Sequence, residues 1–185
     1  INGLGINTSS SAGMVFGDDV TIGPSLATAT LTATNGAITF GQKLDSGSGL
    51  TKSLTLNSGT GNITFTGPVG SNDPLGTLRI EGANQTRAMQ TVAAEKFEQT
   101  AGSATTFDND VTLTGLFNFG GAALTIGTLL DSASTVTVTN TGNFVTMAGS
   151  SIVADGGFTQ NVPDKVGYRR AIRHPTSRVT LRDAV

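Results

Sequence analysis

Aspartate supplies most of the side chains in this chain that could act on a bound molecule. Asp18, Asp19, Asp45, Asp108 and Asp110 all stand in stretches of Gly, Asn and Ser that read as turns. Two carboxylates brought together from neighbouring segments could share acid and base work on a glycosidic bond. Asp108-Asn109-Asp110 also sets hard oxygen donors at alternate positions, a spacing that can converge on calcium. A plainer use competes, because a turn Asp accepts hydrogen bonds from nearby backbone N–H groups. Asp108-Asn109-Asp110 has neither the sharp-turn Gly nor the distal Glu of a dedicated calcium loop. The plainer use is therefore the expectation, with Asp108 and Asp110 kept as calcium candidates.

Other chemistries find few residues to work with. Cys is absent and His occurs once, which removes thiolate sites, disulfides and imidazole clusters. His174 has no Gly-x-Ser-x-Gly partner for a serine hydrolase, and no Gly-rich loop ends in Lys-Ser or Lys-Thr to cradle phosphate. The expectation is a protein without catalytic residues and without a cofactor. No apolar run is long enough to span a bilayer, and no basic-then-apolar leader opens the chain.

Charge divides the chain near Pro163. Residues 1–164 hold 5 basic and 12 acidic side chains, a net of −7, whereas residues 165–185 hold 6 basic and 1 acidic, a net of +5. The basic set is Lys165, Arg169, Arg170, Arg173, Arg178 and Arg182. A lone Tyr168 offers no stacking series, so nucleic acid is not the expected partner. A basic tail on an acidic body could instead steer one copy onto the next. Val179-Thr180-Leu181 alternates as a strand does, and Val179 and Leu181 could add that strand to an exposed sheet edge. These eight residues are the expected self-assembly set.

What must position such residues is legible in composition and period. Hydrophobic residues make up 37 % and charged residues 13 %, while the chain carries 25 Gly, 30 Thr, 15 Ser and 12 Asn. Helical bundles need Ala, Glu, Lys and Leu in quantity, so turn-rich β structure is expected. Leu54-Thr55-Leu56, Ile63-Thr64-Phe65, Leu78-Arg79-Ile80, Val111-Thr112-Leu113, Leu124-Thr125-Ile126 and Val136-Thr137-Val138 each alternate apolar and polar residues. The apolar members, with Leu31, Ile38 and Phe40, are the expected core. Only Arg87 to Phe97 carries a partial helical stripe, through Ala88, Met89, Val92, Ala93 and Phe97.

The alternating segments repeat. Ile38-Thr39-Phe40 returns as Ile63-Thr64-Phe65 after 25 residues, and Leu54-Thr55-Leu56 as Leu78-Arg79-Ile80 after 24. Phe16 to Ile22 echoes Phe107 to Leu113 after 91, and Phe97-Glu98-Gln99 echoes Phe158-Thr159-Gln160. Repeats of this size suit a β-solenoid, in which each coil buries its apolar row against the coils on either side. Two domains in the sense of composition follow: a β-repeat body at 1–164 and a basic tail at 165–185. Roughly 160 residues in turns of about 25 would make six or seven coils at about 4.8 Å each. A β-sandwich is the alternative fold, since it shares the alternation and the turns.

Ser53 to Gly70, followed by Leu75-Gly76-Thr77-Leu78-Arg79-Ile80, resembles the repeats of large bacterial surface exoproteins of the filamentous-haemagglutinin-like and autotransporter-passenger class. The resemblance spans roughly residues 14–160. It implies a right-handed parallel β-helix outside the cell or on its surface, serving adhesion, cohesion or reach. Two departures stand beside it: no Asn-Pro-Asn-Gly secretion signature occurs near the start, and the Arg-rich end is foreign to such repeats. The expected function is a structural or adhesive module that self-assembles head to tail into a fibre or extends one, with a glycan or cell-surface molecule as a further partner. Rival readings are a carbohydrate-active β-helix using turn carboxylates and an ice-binding face of Thr-x-Thr rows such as Thr28 to Thr34 and Thr135 to Thr139. The opening Ile1-Asn2-Gly3-Leu4-Gly5-Ile6 is apolar and Gly-rich, a poor polar cap for a solenoid end.

Overall fold

A computed structural model describes residues 6–8, 12–25, 27–161 and 178–181, with side chains described for 12–25 and 27–161. Every regular element among them is a β-strand, and every pairing is parallel. The chain winds as a β-solenoid with three strand positions per coil. The sandwich alternative would need two facing antiparallel sheets and is excluded.

One column of seven strands runs β2 (Met14–Phe16), β5 (Ile38–Phe40), β8 (Asn62–Phe65), β10 (Gln85–Ala88), β12 (Ala104–Phe107), β15 (Ala123–Ile126) and β18 (Phe144–Thr146). A second begins with β3 (Val20–Ile22) and β6 (Leu44–Ser46) and passes through a bridge at Val69. It continues as Val92 to Ala94, β13 (Val111–Leu113), β16 (Leu129–Ser132), β19 (Ser151–Ala154) and β21 (Arg178–Leu181). The third comprises β1 (Ile6–Thr8), β4 (Thr28–Ala33), β7 (Ser53–Asn57), β9 (Leu75–Gly82), Phe97 to Gln99, β14 (Phe117–Gly121), β17 (Val136–Asn140) and β20 (Phe158–Asn161). Strand β11 (Val92–Gln99) turns the corner between the second and third columns without a break.

The segment from Arg87 to Phe97, the one place where the sequence allowed a short helix, is β10 and β11 instead. Ala88, Val92, Ala94 and Phe97 point inward and are at most 2 % exposed. Their spacing mimics a helical stripe because the alternation restarts after the corner at Glu95-Lys96. A neighbouring coil on each side supplies the ladder bonds that override local propensity.

Every expected core residue is buried, from Leu31 to Val138. The sequence echoes are steps up the columns. Phe16↔Phe40↔Phe65↔Ala88↔Phe107 spans the separation of 91 residues in four rungs. Coil length is not constant, however. The offset is 25 at Ile38↔Ile63 and falls to 19 at Gln85↔Ala104 and at Val92↔Val111. Most of the saving is made at the corner between the second and third columns: Ser46 and Ser53 bracket a six-residue connection, whereas Ala94 and Phe97 are nearly adjacent.

Aromatic rings fill the interior differently in the two halves. Phe16, Phe40 and Phe65 stack in one column with centroids 5.0 and 5.3 Å apart. Where the coil narrows, Phe97 stacks on Phe117 at 5.0 Å, and Phe107 meets Phe97 edge-on at 5.2 Å. Stacked and edge-on pairs of this kind each add about 0.5–1.5 kcal/mol beyond their area burial.

Candidate functional site

Asp19, Asp73 and Asp108 sit at corners and Asp45, expected in a turn, lies within β6; each spends a carboxylate oxygen on a neighbouring coil. Asp19 accepts from the Lys43 backbone N–H at 3.2 Å and pairs with Lys43 Nζ at 3.2 Å. Asp45, nearly buried, accepts from the Asn72 N–H at 3.2 Å, and Asp73 from the Gly49 N–H at 3.1 Å. These are the coil-to-coil equivalents of turn bonds, as the plainer sequence reading has it.

Asp108 and Asp110 meet different surroundings. Arg87 Nε donates to Asp108 Oδ2 at 2.8 Å from the preceding coil, and Asn109 Nδ2 donates to the Met89 carbonyl at 2.8 Å. Asp110 is exposed, and its backbone carbonyl accepts from Val92 N–H. Among the described residues no three His, Cys, Asp or Glu side chains gather as a metal site.

Two outer faces carry the Thr rows. On the seven-stranded column the outward line reads Val15, Thr39, Thr64, Arg87, Thr106, Thr125, Val145. On the third column it reads Thr30, Thr55, Arg79, Glu98, Asn118, Thr137, Thr159. Both lines break at their centre on an ionic rung. Arg79 Nη1 donates to Glu98 Oε2 at 3.1 Å, and its Nε lies 3.3 Å from Glu81 Oε1 without hydrogen-bond alignment. A flat hydroxyl–methyl array is thus limited to two adjacent Thr rungs at a time.

Of the self-assembly set, Arg178, Val179 and Leu181 fall in β21, whose backbone pairs in parallel with β19 of the same chain through Ile152↔Val179 and Ala154↔Leu181. Lys165, Arg169, Arg170, Arg173 and Arg182 lie outside the described residues, as do Tyr168, His174 and the opening residues 1–5. Among the described strands, β1, β2 and β3 pair on one side only, as do β18, β20 and β21 at the other end. All other described strands pair on both sides. Among the described residues no helix is long and apolar enough to cross a membrane.

A polar group inside the solenoid escaped the sequence reading. Thr105 Oγ1 donates to Gln99 Oε1 at 2.6 Å, with both residues at most 2 % exposed. Gln99 Nε2 and the nearby-rung Thr86 Oγ1 are buried without partners. Gln99 occupies the inward row Leu31, Leu56, Ile80, Gln99, Phe119, Val138. The signal was available, since a Gln two places after Phe97 in an alternating strand must point the same way. Compared with protein-family models, curated proteins and solved structures, the chain matches none.

Proposed function

We propose that this chain is a structural or adhesive β-repeat module that acts outside the cell, assembling end to end into a surface fibre or extending one. The observation that carries the reading is the pair of stack ends. Each presents strand edges paired on one side only among the described residues, and all strands run with the same polarity. An unpaired edge is a template for another strand. Two different ends meeting head to tail make a contact that does not close, which yields a filament. The charge division supports the same geometry, because a tail of +5 is attracted to a body of −7. The carboxylates of Asp19, Asp45 and Asp108, committed to neighbouring coils, speak for a scaffold over a carbohydrate-active cleft.

Sedimentation and negative-stain imaging across a salt series test this. The full chain should form rods or threads that lengthen at low ionic strength. Removal of residues 165–185 should leave single particles. Because that deletion also removes β21, a second variant changes only Lys165, Arg169, Arg170, Arg173 and Arg182 to Gln. Single particles from the full chain at every salt concentration would overturn the assembly, and unchanged threads from both variants would overturn the role of the tail.

A further inference from the structure

The corner joining β4 to β5 contains the dipeptide Asn35-Gly36. Asn35 is exposed and adopts a left-handed backbone conformation at φ 62°, alone among the described non-glycine residues. Its carboxamide oxygen accepts two hydrogen bonds from the next coil, from Thr60 N–H at 3.1 Å and from Thr60 Oγ1 at 3.0 Å. Neither Asn35 Nδ2 nor the Gly36 N–H has a hydrogen-bond partner among the described residues. Glycines make the approach possible: a Cβ on Gly59 would stand 2.7 Å from Asn35 Oδ1, and one on Gly61 would stand 2.3 Å from the Gly36 carbonyl oxygen.

This arrangement has the parts of an acyl-transfer site. The electrophile is the Asn35 carboxamide carbon, whose oxygen already faces two donors placed where negative charge would develop. The nucleophile is the Gly36 amide nitrogen, which donates no hydrogen bond among the described residues and belongs to a buried residue with no side chain of its own. The leaving group is the unbonded Nδ2.

We propose that Asn35-Gly36 is a self-modification site, at which the Thr60 donors promote conversion of Asn35 through a cyclic imide. The Gly36 nitrogen forms a bond to Asn35 Cγ, the Cγ–Nδ2 bond breaks, and ammonia leaves with the proton lost from the Gly36 nitrogen. Water then opens either imide carbonyl, leaving an aspartyl or an isoaspartyl residue at position 35. No oxidant, metal or second protein takes part. Either product adds a negative charge to the corner. The isoaspartyl form also routes the main chain through one extra methylene, where β4 and β5 must stay in register with β7 and β8. The folded chain would therefore carry a slow clock at the corner where β4 passes into β5.

The test follows the folded protein at neutral pH by peptide mass spectrometry, with enzymatic methylation to count isoaspartyl groups. Asn35 should convert while Asn57, Asn62, Asn84 and Asn109 stay intact. Thr60→Val, which removes one donor on the exposed surface, should slow conversion about fivefold, and Thr60→Ser should restore it. The same chain unfolded in urea separates dipeptide chemistry from the corner: conversion in the folded state should be at least as fast. Loss of Asn35 only in urea, or an unchanged rate in Thr60→Val, would overturn the proposal.

Discussion

Phe40 lies between Phe16 and Phe65, each ring nearly parallel to the next, with only 1 % of its own surface exposed. Truncating it removes both stacking partners at once and opens a cavity that the ladders on either side hold rigid. Phe40→Ala should cost about 3–5 kcal/mol, a fall in Tm of roughly 10 °C, read by thermal unfolding. The Gln99–Thr105 pair behaves differently. Thr105→Val leaves Gln99 Oε1 bare as well as Nε2 and should cost about 1–3 kcal/mol. Combining it with Gln99→Leu removes every orphaned group of that pair and should recover the loss or exceed it, measured as a shift in the urea midpoint. The two cases show what one residue discloses before folding. Phe40 announces its place through an alternating neighbour pattern, whereas the hydrogen bond of Gln99 depends on which rung its side chain meets.

Strands three to eight residues long carry this fold, and none has a stable existence without the coil beside it. The period-two segments were readable because one face must be dry and the other wet. Segment Arg87 to Phe97 was not, since a corner at Glu95-Lys96 resets the alternation and imitates a helical stripe. The carboxylates illustrate the same limit at the corners. Asp108-Asn109-Asp110 has the residue types for a cation site, but its first carboxylate is occupied by Arg87 from the preceding coil. That ion pair is largely solvated, with the Arg87 side chain 56 % exposed and Asp108 29 %. Asp108→Asn should therefore cost less than about 1 kcal/mol. Added calcium should leave the Tm of both proteins unchanged, and a rise confined to the parent would show that a cation displaces the arginine.

On the scale of the whole chain, repeat spacings of 24 and 25 disclosed the solenoid, and the narrowing to 19 residues per coil went unseen. The later coils lose their resemblance because the corner residues between the second and third columns are absent, so the alternating triplets no longer fall at one interval. The tail residues were legible as a charge block but not as a destination, since pairing of Ile152 with Val179 depends on a rung that only the folded stack provides. Each described strand pairs its backbone only with strands one coil away, separated by 19 to 27 residues along the chain. Pulling on the two ends should thus peel the protein in a staircase, releasing one circuit of roughly 60–90 Å per step, which single-molecule extension would resolve. The reverse is equally available: a chain arriving end first can wind each new circuit onto the last finished one, long before its far end has appeared.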